Sequence, residues 1–327
     1  MNTAIDTAAV PTAMSTRRLP VVDLQPFLFG DAAARHAVAR DIAIACEAYG
    51  FFYLRGHGIP ADTIAGGFES ARRFFELPLD ERMACRVTRP RQNRGYQPMF
   101  DTALAGGKSD LKHSFDMGFP LPEDDADIEA GLPFHAPNAW PQLPGFRAHV
   151  EGLYFAMLHC GHQILRAMAL SLDADENFFV GRCRKPTTNM RLVHYPPQST
   201  DPDAGLGARA HTDKGIVTLL LNDDVGGLHV MSDDGQWIDA PPDPEAIIVN
   251  VGDLMTRWTN GRFRSAMHRV VNATGRQRYS IPQFHHTTFH AVVDPLDLVR
   301  GEPANFEPVV AGEFVANGFR RDRKSWA

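Results

Sequence analysis

The second half of this 327-residue chain is a succession of short apolar runs broken by turn residues. From about residue 187, TNMRLVHYPP, GIVTLLLND, GLHVM, QWIDAPP, AIIVNVGD, SAMHRVVNAT and RYSIPQF follow one another, separated by Gly, Asn, Asp and Pro. Many short strands at such spacing close into an antiparallel barrel or a jelly roll. This pattern constrains the fold more than any other, because so many short strands have to pair with one another around a common core.

The first half has a different texture. LPVVDL (19–24) reads as a buried strand. Residues 31–48 have helical spacing with Asp31 as N-cap, followed by a helix end at Gly50 and an aromatic strand in YGFFYLRGHGIP. A further helix is predicted from Pro60 to about Leu77, and a helical turn over 79–86. Residues 87–143 are rich in Pro, Gly and acids, and read as loops and strand edges. The apolar residues of 145–172 recur at three and four, which predicts a long core helix. The layout is mainly β with α, a jelly-roll core with packed helices. Residues 1–18 are expected to be a flexible tail, with Met14 as a second candidate start. Residues 19–186 form an N-terminal α-rich region that contributes strands to the core. Residues 187–292 form the core, and 293–327 a C-terminal extension ending in the solvated FRRDRKSWA.

Composition narrows the partners. A net charge of -6 offers no basic face for nucleic acid. No apolar run approaches the ~20 residues of a membrane span, and the N-terminus lacks the basic start and apolar core of a secretory signal. Four cysteines without a CxxC spacing read as reduced thiols of a cytoplasmic protein. A small-molecule partner is expected, with the oligomeric state open.

The stretch RAHTDKG (209–215) holds a His-x-Asp pair. Alone it means little: with 14 histidines and 39 acids, roughly two His-x-acid pairs arise by chance. The other one, His149-Val-Glu151, lies in the long helix, where residues two apart point about 200° apart. His211 and Asp213 precede a strand, and in extended backbone both can reach one cation. His268, in another β run, supplies a third ligand. Two imidazoles and a carboxylate on one face of a metal are the pattern of non-haem Fe(II) oxygenases, with zinc as the rival ion. Arg278 and Ser280 alternate onto one face of RYSIPQF, and a guanidinium beside a hydroxyl suits the distal carboxylate of a dicarboxylic keto acid.

These residues sit in a series of longer stretches: LPVVDL, ACEAYGFFYLRGHGIP, NRGYQP, LKHSFDMG, MRLVHYPP, AHTDKGIVTLLLNDDVGGLHV, VNVGDLMTRWTNGRFRSAMHRVV and RYSIPQF. In this order, over about residues 19–292, they resemble the isopenicillin N synthase-like branch of the Fe(II)/2-oxoglutarate-dependent oxygenases. The resemblance implies a double-stranded β-helix with helices packed on one sheet. It implies His211, Asp213 and His268 as iron ligands, and Arg278 and Ser280 as the site of the 2-oxoglutarate carboxylate. Tyr195 would contact co-substrate or substrate. O2 is the second co-substrate, and ascorbate a further candidate reductant. The reaction implied is hydroxylation, desaturation or cyclisation of a small molecule, with release of succinate and CO2.

Three positions depart from the family pattern. Val193 stands where many plant members carry asparagine, Lys214 where an aromatic residue or another suited to the site's edge is usual, and His113 where an acid is common. Arg94 of NRGYQP matches an arginine that holds a substrate carboxylate in β-lactam-forming relatives, against the plainer reading of a loop anchor. With Lys214 at the pocket rim, Arg94 suggests a carboxylate-bearing substrate. His285 and His286 read as packed or solvent-facing rather than as pocket lining, and Trp258 as packing. The resemblance also makes a lid a candidate role for the C-terminal extension. Two rival functions are a same-fold oxidase that does without 2-oxoglutarate, of the isopenicillin N synthase or aminocyclopropane-carboxylate oxidase type, and ethylene-forming breakdown of 2-oxoglutarate. A non-enzymatic binding module would be expected to have lost a ligand.

Overall fold

The computed structural model describes residues 14–87, 91–99, 110–197, 206–299 and 301–322. The first half contains β1 (Val21–Asp23), α1 (Gln25–Phe29), α2 (Ala32–Ala48), β2 (Phe51–Arg55), α3 (Ala61–Glu76) and α4 (Leu79–Met83). There follow β3 (Gly95–Gln97), β4 (His113–Gly118), α5 (Ala126–Glu129) and the 26-residue α6 (Phe146–Ser171). The second half contains β5 (Asn189–Tyr195), β6 (Ala208–His211), β7 (Val217–Asn222), β8 (Leu228–Met231), β9 (Trp237–Ala240), β10 (Ile247–Val251) and α7 (Asp253–Trp258). The chain ends in β11 (His268–Val270), β12 (Arg278–His285), β13 (Val292–Val293), β14 (Val309–Val310) and α8 (Ala311–Asp322).

Eight strands form a major sheet in the order β1-β2-β10-β7-β12-β5-β4-β3, and four form a minor sheet, β6-β11-β8-β9. All pairings are antiparallel except β1 with β2. The two sheets enclose an apolar layer that includes Tyr53, Val193, Tyr195, Val230, Ile238 and Ile248. The outer face of the major sheet is covered by α6, which buries half its length. Strand alternation explains the division. On β12, Ile281 joins the helix-side core, and Gln283 Nε2 donates to the Tyr154 carbonyl of α6 at 2.9 Å. Arg278, Ser280, Pro282 and Phe284 alternate onto the lumen side.

The local signals act as their chemistry requires. The Asp31 carboxylate accepts from Ala34 N at 2.9 Å and starts α2. Gly50 ends that helix at φ +69°, where an added Cβ would lie 2.2 Å from the Arg264 carbonyl oxygen. Trp258 is buried against Phe178 and Phe179. All four cysteines are buried free thiols, and among the described residues no helix is long and apolar enough to cross a membrane.

The ends of the chain differ from expectation. Residues 14–17, assigned to a flexible tail, are tied to the β8–β9 hairpin. Ser15 N donates to the Trp237 carbonyl at 2.7 Å, and Arg17 pairs with Asp233 at 2.6 Å. Residues 1–13 lie outside the described residues, as do 323–327 of the expected solvated tail. Phe319 is half-buried: its ring packs on Phe134 with centroids 5.9 Å apart.

Candidate metal centre

The loop from β6 to β7 is shaped by two close backbone approaches. A Cβ on Gly252 would sit 2.2 Å from the Gly215 carbonyl oxygen, so the turn before α7 lies directly against the turn before β7. That proximity lets Asp253 N donate to the Asp213 carbonyl at 2.7 Å. The Asp253 carboxylate then takes Thr212 Oγ1 at 3.1 Å and Lys214 Nζ at 3.2 Å. Asp253 therefore holds the residues on both sides of Asp213, leaving that side chain aimed into the lumen.

His211, Asp213 and His268 converge there, with one candidate ligand atom from each lying within 4.8 Å of the others. Both imidazole Nε2 atoms face Asp213 Oδ1, at 3.9 Å from His211 and 3.8 Å from His268. The two histidines are cross-strand partners between β6 and β11, which fixes their spacing. The Nδ1 of His211 meets the Arg209 carbonyl at 2.7 Å, and that of His268 the Ala266 carbonyl at 3.3 Å. Each Nδ1–H donates to a carbonyl, so each Nε2 lone pair is free to bind a cation. Asp213 Oδ2 accepts from Thr218 Oγ1 at 2.7 Å and Asn250 Nδ2 at 2.8 Å. Burial pushes the Asp213 carboxyl up, but the two imidazoles and these two bonds outweigh it and hold the group below the usual carboxylate range. Removal of its inner ring edge from water, with His268 beside it, holds His211 below the usual imidazole range. The trio thus presents a carboxylate and two imidazole Nε2 atoms, a fitting donor set for a divalent transition metal.

The second predicted constellation also assembles. Arg278 and Ser280 lie on the lumen side of β12, and the Arg278 ring of contacts is specific. Its Nε donates to the Gly226 carbonyl at 2.7 Å and its Nη2 to Asn222 Oδ1 at 2.6 Å. Its Nη1 is buried with no partner. A buried guanidinium nitrogen without an acceptor is costly unless a ligand supplies one. Tyr195 is the cross-strand partner of Arg278, and its ring lies 4.8 Å from the guanidinium carbon. Val193 faces Ser280 across the same ladder and belongs to the apolar layer.

Two substrate expectations are corrected. Arg94 is buried and spends its guanidinium on the backbone: Nη1 donates to the carbonyls of Gln92 and Asn93, and Nη2 to that of Phe134. It anchors loops instead of offering an open fork. Lys214 is not a rim cation awaiting an anion. It pairs with Asp253, and the Gly318 segment of α8 lies against its stem. The histidines after the co-substrate strand are not solvent-facing. His285 packs against Gly161 of α6, and His286 is buried beside Gly215. His113 is on the outer face, within 2.6 Å of His194 and 3.0 Å of Tyr96. Thr218, Asn250 and Asp253 escape a reading by ligand motif. The signal for the first two is a polar residue at a lumen-facing position of an otherwise apolar strand.

This geometry agrees with the comparisons. The chain matches the family models described as 2OG-Fe(II) oxygenase superfamily, over residues 186–287, and non-haem dioxygenase in morphine synthesis N-terminal, over residues 19–143. It is 36% identical over 312 residues to the 2-oxoglutarate-Fe(II) type oxidoreductase hxnY of Emericella nidulans, covering 92% of this chain and 89% of that one. The chain belongs to the 2OG-Fe(II) oxygenase superfamily. Its relatives include the homoarginine-6-hydroxylase 2-ODD-233 of Oryza sativa subsp. japonica, 33% identical over 282 residues with coverage of 83% and 85%. Among solved structures, Neurospora crassa T7H in complex with alpha-KG and thymine superposes with a TM-score of 0.81 at 28% identity, covering 91% of this chain and 95% of that one. This 2OG-Fe(II) oxygenase is an enzyme, a non-haem dioxygenase that uses Fe(II) and 2-oxoglutarate and acts on a small molecule.

Proposed function

We propose that His211, Asp213 and His268 hold the Fe(II) ion and that Arg278, with Ser280, anchors the distal carboxylate of 2-oxoglutarate. The observation that carries the reading is the unpartnered, buried Nη1 of Arg278 on the lumen face shared with the His-Asp-His trio. Its two other bonds fix the plane of the guanidinium, so a carboxylate meets a preset fork. The Tyr195 ring lies over one face of the guanidinium, 4.8 Å from its carbon. When bound, the iron supplies oxygen activation coupled to decarboxylation of the keto acid.

The protein's own work is positional. The carbonyls of Arg209 and Ala266 set the imidazole tautomers, Thr218 and Asn250 fix the carboxylate, and Asp253 locks the loop. His211 is the half-exposed ligand, its side chain 44% accessible, while His268 and Asp213 are buried. Access to the metal is therefore from the His211 side. Substrate-dependent hydroxylation is the outcome supported by relatives named as hydroxylases. The test is anaerobic addition of Fe(II) and 2-oxoglutarate. A visible metal-to-ligand charge-transfer band should form with the wild type and be lost in Arg278→Met, which should still bind Fe(II). A band of full strength in Arg278→Met would refute the assignment.

A further inference from the structure

Beyond the metal, the lumen face of the major sheet carries a second polar cluster. Asp116 of β4 is fully buried; it accepts from Arg191 Nε at 2.8 Å and from Asn189 Nδ2 at 2.8 Å, both on Oδ1. Arg191 and Asn189 are two apart on β5 and so share a face. The Arg191 side chain is 9% exposed, yet only its Nε is bonded: Nη1 and Nη2 have no protein acceptor among the described residues. Both are absent from the fully enclosed polar atoms that lack a partner, so the fork reaches open space. Asn189 Oδ1 is the reverse case, a buried acceptor with no donor. Its orientation is fixed, because only the amide nitrogen can donate to Asp116.

Phe284 forms the floor beside this cluster. It is the cross-strand partner of Asn189, is partly exposed on the lumen side, and has the Arg191 guanidinium carbon 6.0 Å from its ring centre. On its other side it pairs with Thr218, which bonds the metal-facing Asp213. Strands lie about 4.8 Å apart, so the path from Thr218 through Phe284 to Asn189 spans about 10 Å. A planar ring lying over Phe284 would sit between the Asn189 side and the Thr218 side, on the way from Arg191 to the metal-facing Asp213.

The charge balance selects the ring's chemistry. Arg191 is already neutralised by Asp116, 2.8 Å away and fully enclosed. A carboxylate there would bring a second anion beside Asp116, which is costly away from water. A neutral carbonyl edge offers the Arg191 fork the acceptor it lacks without adding charge. We propose that Arg191 and Phe284, with Asn189 helping to hold Asp116 beside them, form the substrate subsite, and that it takes a neutral, planar heterocycle with a carbonyl edge such as a lactam, not the carboxylate-bearing molecule suggested by Arg94 and Lys214. The proposal rests on the assignment of the iron and co-substrate sites above, and deepens it by naming the substrate class.

The probes are 2-pyridone, a planar lactam, and benzoate, a planar anion of similar size, titrated calorimetrically into anaerobic protein loaded with Fe(II) and 2-oxoglutarate. 2-Pyridone should bind at least tenfold more tightly than benzoate. Arg191→Lys keeps a cation for Asp116 but loses the fork, and Phe284→Leu keeps the ion pair but loses the plate. Each should weaken 2-pyridone at least tenfold while leaving the charge-transfer band unchanged. The paired change D116N/R191M removes both charges together and should also abolish the preference for 2-pyridone. Benzoate binding as tightly as 2-pyridone, no 2-pyridone binding by banded wild type, or unchanged affinity in both single variants would overturn the subsite. Failure of the band to form in the wild type is a different result: it defeats the iron and co-substrate assignment, and the same titrations on the unloaded protein then judge the subsite alone.

Discussion

Thr218→Val offers the sharpest test of how the metal centre is held. Valine keeps the β-branched shape that β7 accommodates and removes only the hydroxyl that donates to Asp213 Oδ2 at 2.7 Å. Asn250 still donates to the same oxygen at 2.8 Å, so the carboxylate stays in place but is held by one bond instead of two. A hydrogen bond to a buried charged group contributes about 1.5–3 kcal/mol. Loss of such an outer partner typically weakens metal binding about 10- to 100-fold, equivalent to about 1.4–2.8 kcal/mol, and the two figures agree. Anaerobic Fe(II) titration followed by calorimetry should therefore show a 10- to 100-fold rise in Kd, with thermal melting as the control for folding. Thr218→Val/Asn250→Leu should cost more than the sum of the single changes, because Oδ2 then has no donor at all. An unchanged Fe(II) Kd in a well-folded Thr218→Val protein would refute the reasoning.

Four further outcomes are expected. His211→Ala should abolish substrate-dependent succinate formation, and retained activity would remove His211 from the ligand set. Lys214→Ala should leave the affinity for an anionic ligand unchanged but loosen α8, seen as faster amide exchange over residues 311–322, because Lys214 bridges Asp253 and the Gly318 segment. Gly50→Ala should destabilise the fold by at least about 1–3 kcal/mol in denaturant unfolding, since φ there is +69° and the Cβ meets the Arg264 carbonyl. Burial, with His194 and Arg82 nearby, lowers His113 to about 3, and burial lowers His194 to about 4 against the bond to Gln277. The unfolded chain takes up these protons near pH 6.5 while the native one resists, so stability should fall as pH drops from about 6.5 toward 4. His194→Phe should flatten that slope in urea titrations at several pH values; an identical slope would count against the pair.

The strand runs and the long amphipathic helix announced the sheets and α6, because period-2 and period-3.6 burial are written directly into residue order. The trio His211, Asp213 and His268 was legible for the same reason, since extended backbone sends alternate side chains to one face. Arg94 and Lys214 misled because charge type says nothing about what already neutralises it. The partners are the Phe134 carbonyl and Asp253, both about forty residues distant in sequence, and only the folded chain brings them near. Asp116 and Arg191 were invisible as a pair for the same reason: they meet through the β4–β5 ladder, 75 positions apart.

The three ligands are not equally open to change by mutation. Both histidines are aimed by main-chain carbonyls, which every amino acid at positions 209 and 266 would also provide. Asp213 alone is aimed by side chains, those of Thr218 and Asn250. Substitution at Thr218 or Asn250 therefore retunes the grip on iron through Asp213, while the two imidazoles keep their main-chain acceptors for as long as β6 and β11 stay paired.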